Sequence, residues 1–541
     1  MTPATAKKAM AMMRRLRSDR DKERLRPAAC GASGHILRRR LEARRSLRFR
    51  CPTQTGHCHS APVLPACCMR KTLLLLFSTL LFSFSQSDDR PNIVLVMADD
   101  HGYGDTGFTG HPFVKTPNLD AMAKEGVVFN RFYAAAPVCS PTRASVMSGR
   151  HPFRGNVPNH GHYLRPDEIT IAEALKSAGY VTGHFGKWHI GSVQPGSPTS
   201  PGGQGFDEWL SGLNFFDNDP FLSRNGTYEH LEGPGTVVSM DATIDFLTKH
   251  KDGDKPMLTV TWFPSPHGPF GEIPQDMENA ATLYDDKDKK NAGYFREITL
   301  LDQEIGKLRK ALRDLGIAEN TLFLYHSDNG GLVDKSAGGR MKKGSIYEGG
   351  LRVPAVMEWP ARLKAGEIDT PVNSSDLYPT LVEIAGAKME NQPLLDGVSI
   401  LPILEGKQDT HPAMGFWHGY SDGQGTWSDR IIAGLKAAQD AGTPNPYPNR
   451  ILKNTSEFPA RDKNDLRGHS AWTDWPWKLH RIQPKSGAEA TWELYQLEMD
   501  PMEENDLVAE HPDRVSKMKA ALEAWQKSVL GSWSGEDYVK K

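Results

Sequence analysis

Three short, continuous apolar runs, at residues 92–97, 257–262 and 321–325, constrain the fold of this chain most. Runs of this length and continuity indicate strands that are buried on both faces, as in a parallel or mixed sheet. Between the second and third runs, residues 294–315 carry apolar side chains at the three- and four-residue spacing of an amphipathic helix. We therefore predict an α/β fold with a large central, mostly parallel mixed sheet flanked by helices.

The composition changes near residue 405, where a stretch rich in glycine, proline, asparagine and charged residues begins. Beyond it, residues 475–479 and 492–495 have the pattern of antiparallel strands, and residues 515–529 that of a terminal amphipathic helix. We predict one large domain over 88–405, which contains the central sheet, and a smaller C-terminal domain over 406–541, made of an antiparallel sheet plus a helix.

The N-terminal segment differs from the rest of the chain. Residues 1–85 contain 18 Lys and Arg but 4 Asp and Glu, whereas residues 86–541 contain 47 and 62. A basic start followed by a short apolar core predicts a signal peptide at 69–85. The apolar core is too short for a stable membrane span. Because a signal peptide normally starts a protein, we predict that residues 1–68 are an upstream extension without a structural role. The mature chain is then exported, to the periplasm or the extracellular space. Its acidic body argues against nucleic acid as a partner.

Five of the six cysteines lie before residue 69. A basic nucleic-acid-binding arm or a zinc knuckle of Cys51, His57, Cys58 and His59 is an alternative interpretation of this segment, and the signal-peptide pattern argues against both.

Acidic and amide side chains follow two of the predicted strands. Asp99 and Asp100 come after the first run, and Asp328 and Asn329 after the third. Carboxylates held close together need a cation, and these oxygens suit calcium or magnesium, while the lack of a histidine cluster argues against a dinuclear zinc site. The alternative is a pair of Asx-rich turns with no ligand.

Other polar residues follow predicted strands or lie in glycine-rich loops. Lys187 and His189 come after a further strand pattern that begins at residues 180–182, His267 lies in a Pro-His-Gly turn, and Lys343 precedes a glycine-rich loop. Taken singly, each could equally be a solvated charge, a satisfied hydrogen-bonding group or a surface turn residue.

Cys139 is the only cysteine after the N-terminal segment, so it has no partner for a disulfide within the chain. A lone cysteine is usually a small buried hydrophobe. Its surroundings, Cys-Ser-Pro-Thr-Arg at 139–143 followed by Ala-Ser-Val-Met-Ser-Gly-Arg, instead resemble the signature of the type I sulfatases of the alkaline phosphatase superfamily. The strand-end acids, the Gly-Lys-Trp-His motif at 186–189, His267, Asp328-Asn329 and the segment 343–350 occur in the order of that family. His101 stands where many members have an apolar residue.

The resemblance, closest to arylsulfatases and glycan sulfatases, implies an enzyme that cleaves a sulfate monoester of a sulfated glycan or an aryl sulfate. Cys139 is expected to be oxidised to formylglycine by a maturation enzyme. The family's calcium ligands match Asp99, Asp100, Asp328, Asn329 and the modified Cys139. Its catalytic residues match Arg143 as the anchor of the hydrated aldehyde, His189 as its proton acceptor, Lys187 and Lys343 as sulfate ligands, and His267 as the group that binds the ester and protonates the leaving oxygen.

The expected chemistry needs concentrated positive charge, because a sulfate monoester repels an oxyanion nucleophile. Two other functions stay open: a phosphonate monoester or phosphodiester hydrolase of the same fold, and a glycan-binding pseudo-sulfatase without turnover. The sequences of the loops at 194–235 and 415–465 do not indicate which sugar is bound or which sulfate position is cleaved.

Overall fold

The computed structural model describes residues 89–270, 291–334, 338–456, 458 and 461–538, which belong to one compact unit. The predicted signal peptide, the extension before it and the cysteines of the N-terminal segment lie outside the described residues. None of the described helices is long and apolar enough to cross a membrane.

Strands occur along the whole described chain. In chain order they are β1 (Asn92–Ala98), β2 (Val127–Phe129), β3 (Phe132–Tyr133), β4 (Val181–Lys187), β5 (Glu208–Gly212), β6 (Phe221–Arg224), β7 (Thr227–His230), β8 (Met257–Trp262), β9 (Thr321–Ser327), β10 (Arg352–Val353), β11 (Ala355–Glu358), β12 (Gly366–Ile368), β13 (Val372–Asn373), β14 (Met414–His418), β15 (Gly468–Asp474), β16 (Trp477–Gln483) and β17 (Thr491–Gln496).

Helices alternate with the strands in the first three quarters of the chain. They are α1 (Pro117–Glu125), α2 (Cys139–Ser148), α3 (Ile171–Ser177), α4 (Gly235–His250), α5 (Ala292–Asp314), α6 (Glu348–Leu351), α7 (Leu377–Ala385), α8 (Leu401–Leu404), α9 (Ser428–Ala441) and α10 (Pro512–Trp533).

The central sheet of the described residues has ten strands in the order β12-β2-β11-β9-β1-β8-β4-β5-β6-β7. Its middle, from β9 through β1, β8 and β4 to β5, is parallel, whereas β11, β6 and β7 run antiparallel to their neighbours. β1 shows that the middle of the sheet is buried on both faces. The side chains at 93, 95 and 97 belong to the apolar core on one face, and those at 94, 96 and 98 belong to the core on the other. The predicted α/β class with a mostly parallel mixed sheet is confirmed.

The chain after residue 405 contains a separate antiparallel sheet of β14, β15, β16 and β17, on which α10 packs. This confirms the predicted antiparallel sheet with a terminal helix. The same part of the chain also contributes α9, which packs on β6 and β7 of the central sheet. The domain boundary at residue 405 stays a prediction.

Candidate active site

The candidate site forms where neighbouring parallel strands of the central sheet end. β1 lies between β8 and β9, and Ala98 is paired with Ser327 in register. Just beyond the strands, the backbone N–H of Asp328 donates to the carbonyl of Ala98 (3.1 Å), and that of Asp99 donates to the carbonyl of Ser265 (2.9 Å). Parallel strands that end side by side bring their following residues to one edge of the sheet, where open α/β sheets bind ligands.

Four oxygen-bearing side chains meet at this edge, and all of them are buried: Asp99, Asp100, Asp328 and Asn329. The backbone N–H of Asp100, a residue with φ of 75°, donates to Oδ1 of Asp328 (3.1 Å). The side-chain amide of Asn329 donates to Oδ1 of Asp100 (2.7 Å), which leaves the amide oxygen of Asn329 without a hydrogen-bond partner among the described residues. Oδ1 of Asp99 is also unpaired there.

Cys139 begins α2 and its thiol faces these acids. Its Sγ and one carboxylate oxygen each of Asp99 and Asp328 lie within 4.8 Å of one another. Arg143 follows one turn later on the same face of the helix, and its Nη2 lies 2.8 Å from Oδ2 of Asp328 and 3.6 Å from Oδ2 of Asp99. The spacing of Cys139 and Arg143 thus places a thiol and a guanidinium on the same acidic pair.

Lys187 reaches the site from the end of β4. Its Nζ lies 2.5 Å from Oδ2 of Asp99, and its backbone carbonyl accepts a hydrogen bond from Nη1 of Arg143 (3.0 Å). The preceding residue is Gly186, with φ of 102°, and a Cβ there would lie 2.0 Å from the carbonyl oxygen of Trp262. Glycine at this position allows β4 to approach β8 closely enough to bring Lys187 to the acids.

Lys343 reaches the site from the segment that follows the Asp328-Asn329 turn. Its backbone N–H donates to the carbonyl of Gly331 (3.2 Å), and the next residue, Gly344, donates to the carbonyl of Pro137 (2.9 Å). This segment is therefore held between the Asp328-Asn329 turn and the start of α2. The Nζ of Lys343 lies 2.6 Å from Oδ1 of Asp100.

Two histidines complete the set of predicted residues. His189 is buried with φ of 58°, its backbone carbonyl accepts from the Ser140 hydroxyl (2.7 Å), and both ring nitrogens lack a hydrogen-bond partner among the described residues. His267 is partly buried, with Nδ1 2.5 Å from the carbonyl of Gly268 and Nε2 3.7 Å from Oδ2 of Asp100. The Gly268 contact places the ring proton on Nδ1 in the neutral form and directs Nε2 at the acids.

Burial raises the pKa of the buried acids, whereas the neighbouring cations lower it. Burial raises the pKa of Asp328 above its usual value, and the neighbouring charge of Asp99 raises it further, although Arg143 opposes both. Burial also disfavours the charged form of Asp99, but nearby cations, Lys187 first, lower its pKa overall. The acids therefore differ in how readily each gives up its proton, as expected for carboxylates crowded into one buried site.

Burial raises the pKa of the Cys139 thiol above its usual value, although Lys187 and Lys343 act against it. The unmodified side chain is therefore a protonated, weak nucleophile at neutral pH. Burial, helped by Lys187 and Arg143, lowers the pKa of His189 well below that of an ordinary histidine. Its ring is neutral at neutral pH and has unpaired nitrogens with which to accept a proton.

The donor set fits a hard divalent cation. Asp99, Asp100 and His267 form one group of ligand atoms within 4.8 Å of one another, and Asp99, Cys139 and Asp328 form a second. The unpaired oxygens of Asp99 and Asn329 are buried acceptors without a hydrogen-bond donor in the described part of the chain, a condition that a cation relieves. Because carboxylate and amide oxygens predominate, the set favours calcium or magnesium over zinc.

The structure adds supporting residues that sequence reasoning missed. The hydroxyl of Tyr294, on α5, lies 2.8 Å from the carbonyl oxygen of Asp100 and 2.7 Å from Oδ2 of Asp105. His101 is buried, with Nδ1 2.5 Å from the Tyr325 hydroxyl. From its spacing along the helix, Tyr294 was predicted to be a packing residue. Its hydroxyl, on an otherwise apolar helix face, was the one indication that it also makes hydrogen bonds.

All ten predicted site residues therefore lie around one edge of the central sheet. The sulfatase family model matches residues 91–387, more than half of the chain and the whole of this edge. The chain belongs to the sulfatase family.

This sulfatase is 31% identical over 406 residues to N-acetylgalactosamine-6-sulfatase of Canis lupus familiaris, a match that covers 66% of this chain and 74% of the relative. It is 33% identical over 376 residues to human arylsulfatase A, covering 61% and 71%. Among solved structures, Ps i-CgsB in complex with k-i-k-neocarrahexaose aligns with a TM-score of 0.66 and 26% identity, over 81% of this chain and 93% of that one. The sulfatase is thus an enzyme of sulfate ester hydrolysis with the fold of the alkaline phosphatase superfamily.

Proposed function

We propose that this sulfatase hydrolyses a sulfate monoester of a sulfated glycan, using a formylglycine made from Cys139 and one calcium ion. The observation that carries the proposal is the convergence of three cationic side chains with the Cys139 thiol on one buried group of acids. The names of the relatives support a glycan substrate, since one is named N-acetylgalactosamine-6-sulfatase and one was solved in complex with k-i-k-neocarrahexaose.

Calcium would be held by Asp99, Asp100, Asp328 and Asn329, with the modified Cys139 as a further ligand. When bound, it supplies Lewis acidity toward the sulfate oxygens and neutralises the acids. Oxygen donors alone suit magnesium as well, but a site with four or five protein ligands favours calcium, which binds six to eight ligands in flexible geometry, whereas magnesium usually keeps several waters.

Formylglycine supplies, as its hydrate, one hydroxyl to attack sulfur and a second whose deprotonation expels sulfate. A maturation enzyme is required to make it. The raised pKa of the Cys139 thiol supports the need for conversion, because a protonated buried thiol is a poor nucleophile.

Three cations bind and orient the groups that react. Arg143 is fixed by Asp328 and by the carbonyl of Lys187, so its guanidinium holds the side chain at position 139 in place. Lys187 contacts Asp99 and Lys343 contacts Asp100, and from these positions the two charges bind the sulfate oxygens. Fixed charges of this kind stabilise the charge that develops in the transition state without reorganising.

The two histidines move protons. His189 is neutral and unpaired, so it takes up the proton released at position 139. His267 has its Nδ1 proton engaged with Gly268, so Nε2 of the neutral ring is an acceptor. Nε2 donates to the ester oxygen and protonates the leaving alcohol from the imidazolium form, after the ring has taken up a second proton, and this returns the ring to its neutral form. The chain is exported, to the periplasm or the extracellular space, where such glycans are met.

The test compares matched esters. Protein matured with a formylglycine-generating enzyme is assayed with 4-nitrophenyl sulfate, bis(4-nitrophenyl) phosphate and 4-nitrophenyl phenylphosphonate. We expect the sulfate ester to be the best substrate and Cys139→Ala to lower its kcat/KM at least about a thousandfold. A higher kcat/KM for the phosphonate or the phosphodiester would replace the sulfatase reaction by the hydrolase alternative. Unaltered turnover in the Cys139→Ala variant would remove Cys139 from the reaction.

A further inference from the structure

An exposed tryptophan projects from the segment that leads into α9. Trp427 has 72% of its surface exposed, although Thr426 before it and Ser428 after it are both buried. Isolated exposed apolar residues are ordinary on protein surfaces, so exposure alone says little. The way in which the neighbouring backbone is fixed to the active site distinguishes this one.

On one side, the residues flanking Trp427 are fixed to the segment that carries Phe215. The Ser428 hydroxyl accepts from the backbone N–H of Leu213 (3.0 Å), and the side-chain amide of Asn214 donates to the carbonyl of Thr426 (2.9 Å). The ring of Phe215 then packs on that of His267, with centroids 5.1 Å apart. This side therefore leads within a few residues to the histidine that binds the ester oxygen.

On the other side, the segment is fixed to the nucleophile helix. The backbone N–H of Gln424 donates to the carbonyl of His160 (2.8 Å), and the N–H of Gly161 donates to the Ser140 hydroxyl (2.9 Å), next to Cys139. A Cβ on Gly161 would lie 1.9 Å from the carbonyl oxygen of Gln424, so the two segments are in close backbone contact. The segment before Trp427 is thus connected through the His160-Gly161 backbone to the start of α2, next to Cys139.

We propose that Trp427 is a stacking platform for a sugar ring of the glycan chain beyond the sulfated residue. The proposal rests on the proposed function, which it deepens by assigning an oligosaccharide rather than a monosaccharide or a free aryl sulfate as the substrate. The C–H face of a pyranose ring is apolar and packs on the flat face of an indole, while sugar hydroxyls need polar partners at the edge. The exposed imidazole of His160, whose Nε2 lies beside Gly423, is one polar group next to this segment, and Tyr420, 43% exposed, is a second aromatic side chain on it.

A rigid aromatic side chain on a fixed backbone loses little conformational entropy when it binds, which is why such residues serve as anchors in binding sites. The sulfate, held at the buried end of the site, and a second sugar, held on Trp427, would fix a glycan at two points. A substrate that ends at the sulfated group is held at the buried end of the site alone and makes no contact with Trp427.

The test measures binding apart from turnover. In the Cys139→Ala background, dissociation constants are measured by calorimetry for sulfated tetrasaccharides of chondroitin, carrageenan and ulvan, and the tightest ligand is kept as the probe. Adding Trp427→Ala should weaken binding of that probe about fivefold, an aromatic stacking contribution, whereas Trp427→Phe should keep most of the affinity. Met499→Ala removes a side chain of similar exposure (81%) elsewhere on the chain and is the control that should not change the dissociation constant.

A second readout uses matured enzyme with Cys139 intact. Trp427→Ala should lower the ratio of kcat/KM for the tetrasaccharide to that for 4-nitrophenyl sulfate about fivefold, and Met499→Ala should leave this ratio unchanged. Unaltered tetrasaccharide binding in the Trp427→Ala variant, or no binding of any tetrasaccharide, would overturn the platform. Weakened binding in a protein that hydrolyses no sulfate ester would uphold the platform and refute the proposed reaction, so the two failures are distinguishable.

Discussion

The hydroxyl of Tyr294 lies 2.8 Å from the backbone carbonyl of Asp100, and both residues are buried. Asp100 is in the left-handed region, with φ of 75°, a conformation that an aspartate keeps only when its surroundings fix it. Tyr294 belongs to α5, which packs against the central sheet, so a helix remote in sequence braces the turn that carries the acids.

Replacing Tyr294 by Phe should destabilise the protein by about 1–2 kcal/mol, because a buried acceptor loses its hydroxyl donor and the backbone N–H of Gly102 loses its acceptor. It should also raise the calcium concentration needed for half-maximal activity, since the Asp100 turn is no longer braced. Tyr180→Phe is the matched control, because it removes a buried hydroxyl that bonds the carbonyl of Pro91 (3.1 Å), away from the acids. Thermal unfolding and calcium titration of both variants check this. An equal calcium requirement in both would reduce Tyr294 to a packing residue.

Removing the charge of Lys343 should lower kcat/KM for sulfate esters at least about tenfold, because one contact to the transition-state charge is lost. Lys342→Ala is the neighbouring control: its Nζ lies 3.3 Å from Asp334, a largely exposed residue, and 44% of its own side chain is exposed. Steady-state kinetics with a sulfate ester give kcat/KM for the two alanine variants and for the unaltered protein. A Lys343→Ala rate equal to that of Lys342→Ala would place Lys343 outside the reaction.

Removal of the metal should abolish activity reversibly. We expect activity to be lost in excess chelator and to return with calcium, and calcium to raise the melting temperature of the metal-free protein by mass action. The Asp99→Asn variant should lose that rise, whereas Asp314→Asn, which alters an exposed acid of α5 paired with Lys310, should keep it. Full activity in excess chelator contradicts the metal assignment.

A histidine outside the active site gives a stability prediction that depends on pH. Burial alone would lower the pKa of His411, but the hydrogen bond and charge of Asp376, 3.1 Å from its Nε2, raise it above its usual value of 6.5. A raised pKa means that the folded state binds the proton more tightly, so this stabilisation is complete below about pH 6.5 and is lost as pH rises through the raised value.

The difference in melting temperature between the unaltered protein and His411→Gln should therefore be larger at pH 5.5 than at pH 9. Differential scanning calorimetry at the two values measures it. A difference independent of pH would show that His411 contributes by packing rather than by its charge.

Much of the site could be predicted because its residues follow buried parallel strands. The apolar runs that became β1 and β9 are the strongest patterns in the chain, and neighbouring parallel strands bring the residues after them together. That argument places Asp99 beside Asp328 without any knowledge of the loops. The resemblance of the segment from Cys139 to Arg143 to a known signature supplied the rest of the predicted roles.

Other parts were beyond the reach of local patterns. β5, β6 and β7 fall in a stretch that we predicted to be loop-rich, because they are short strands toward one end of the sheet and their sequences are polar. Helix α9 lies in a segment whose glycine and proline content indicated loops. It packs on β6 and β7, which are some 200 positions away in the sequence. The contact of Tyr294 with Asp100 is of the same kind, since only the tertiary fold brings the two together.

The conversion of Cys139 is the most direct test of the account. Protein made with a formylglycine-generating enzyme is digested with trypsin, and the mass of the peptide from Phe132 to Arg143 is measured by mass spectrometry. The corresponding peptide of a matured control sulfatase is measured in parallel. The account predicts an aldehyde in place of the thiol at position 139, in proportion to the specific activity of each preparation. An intact cysteine under conditions that mature the control would contradict it and would favour a glycan-binding protein without turnover.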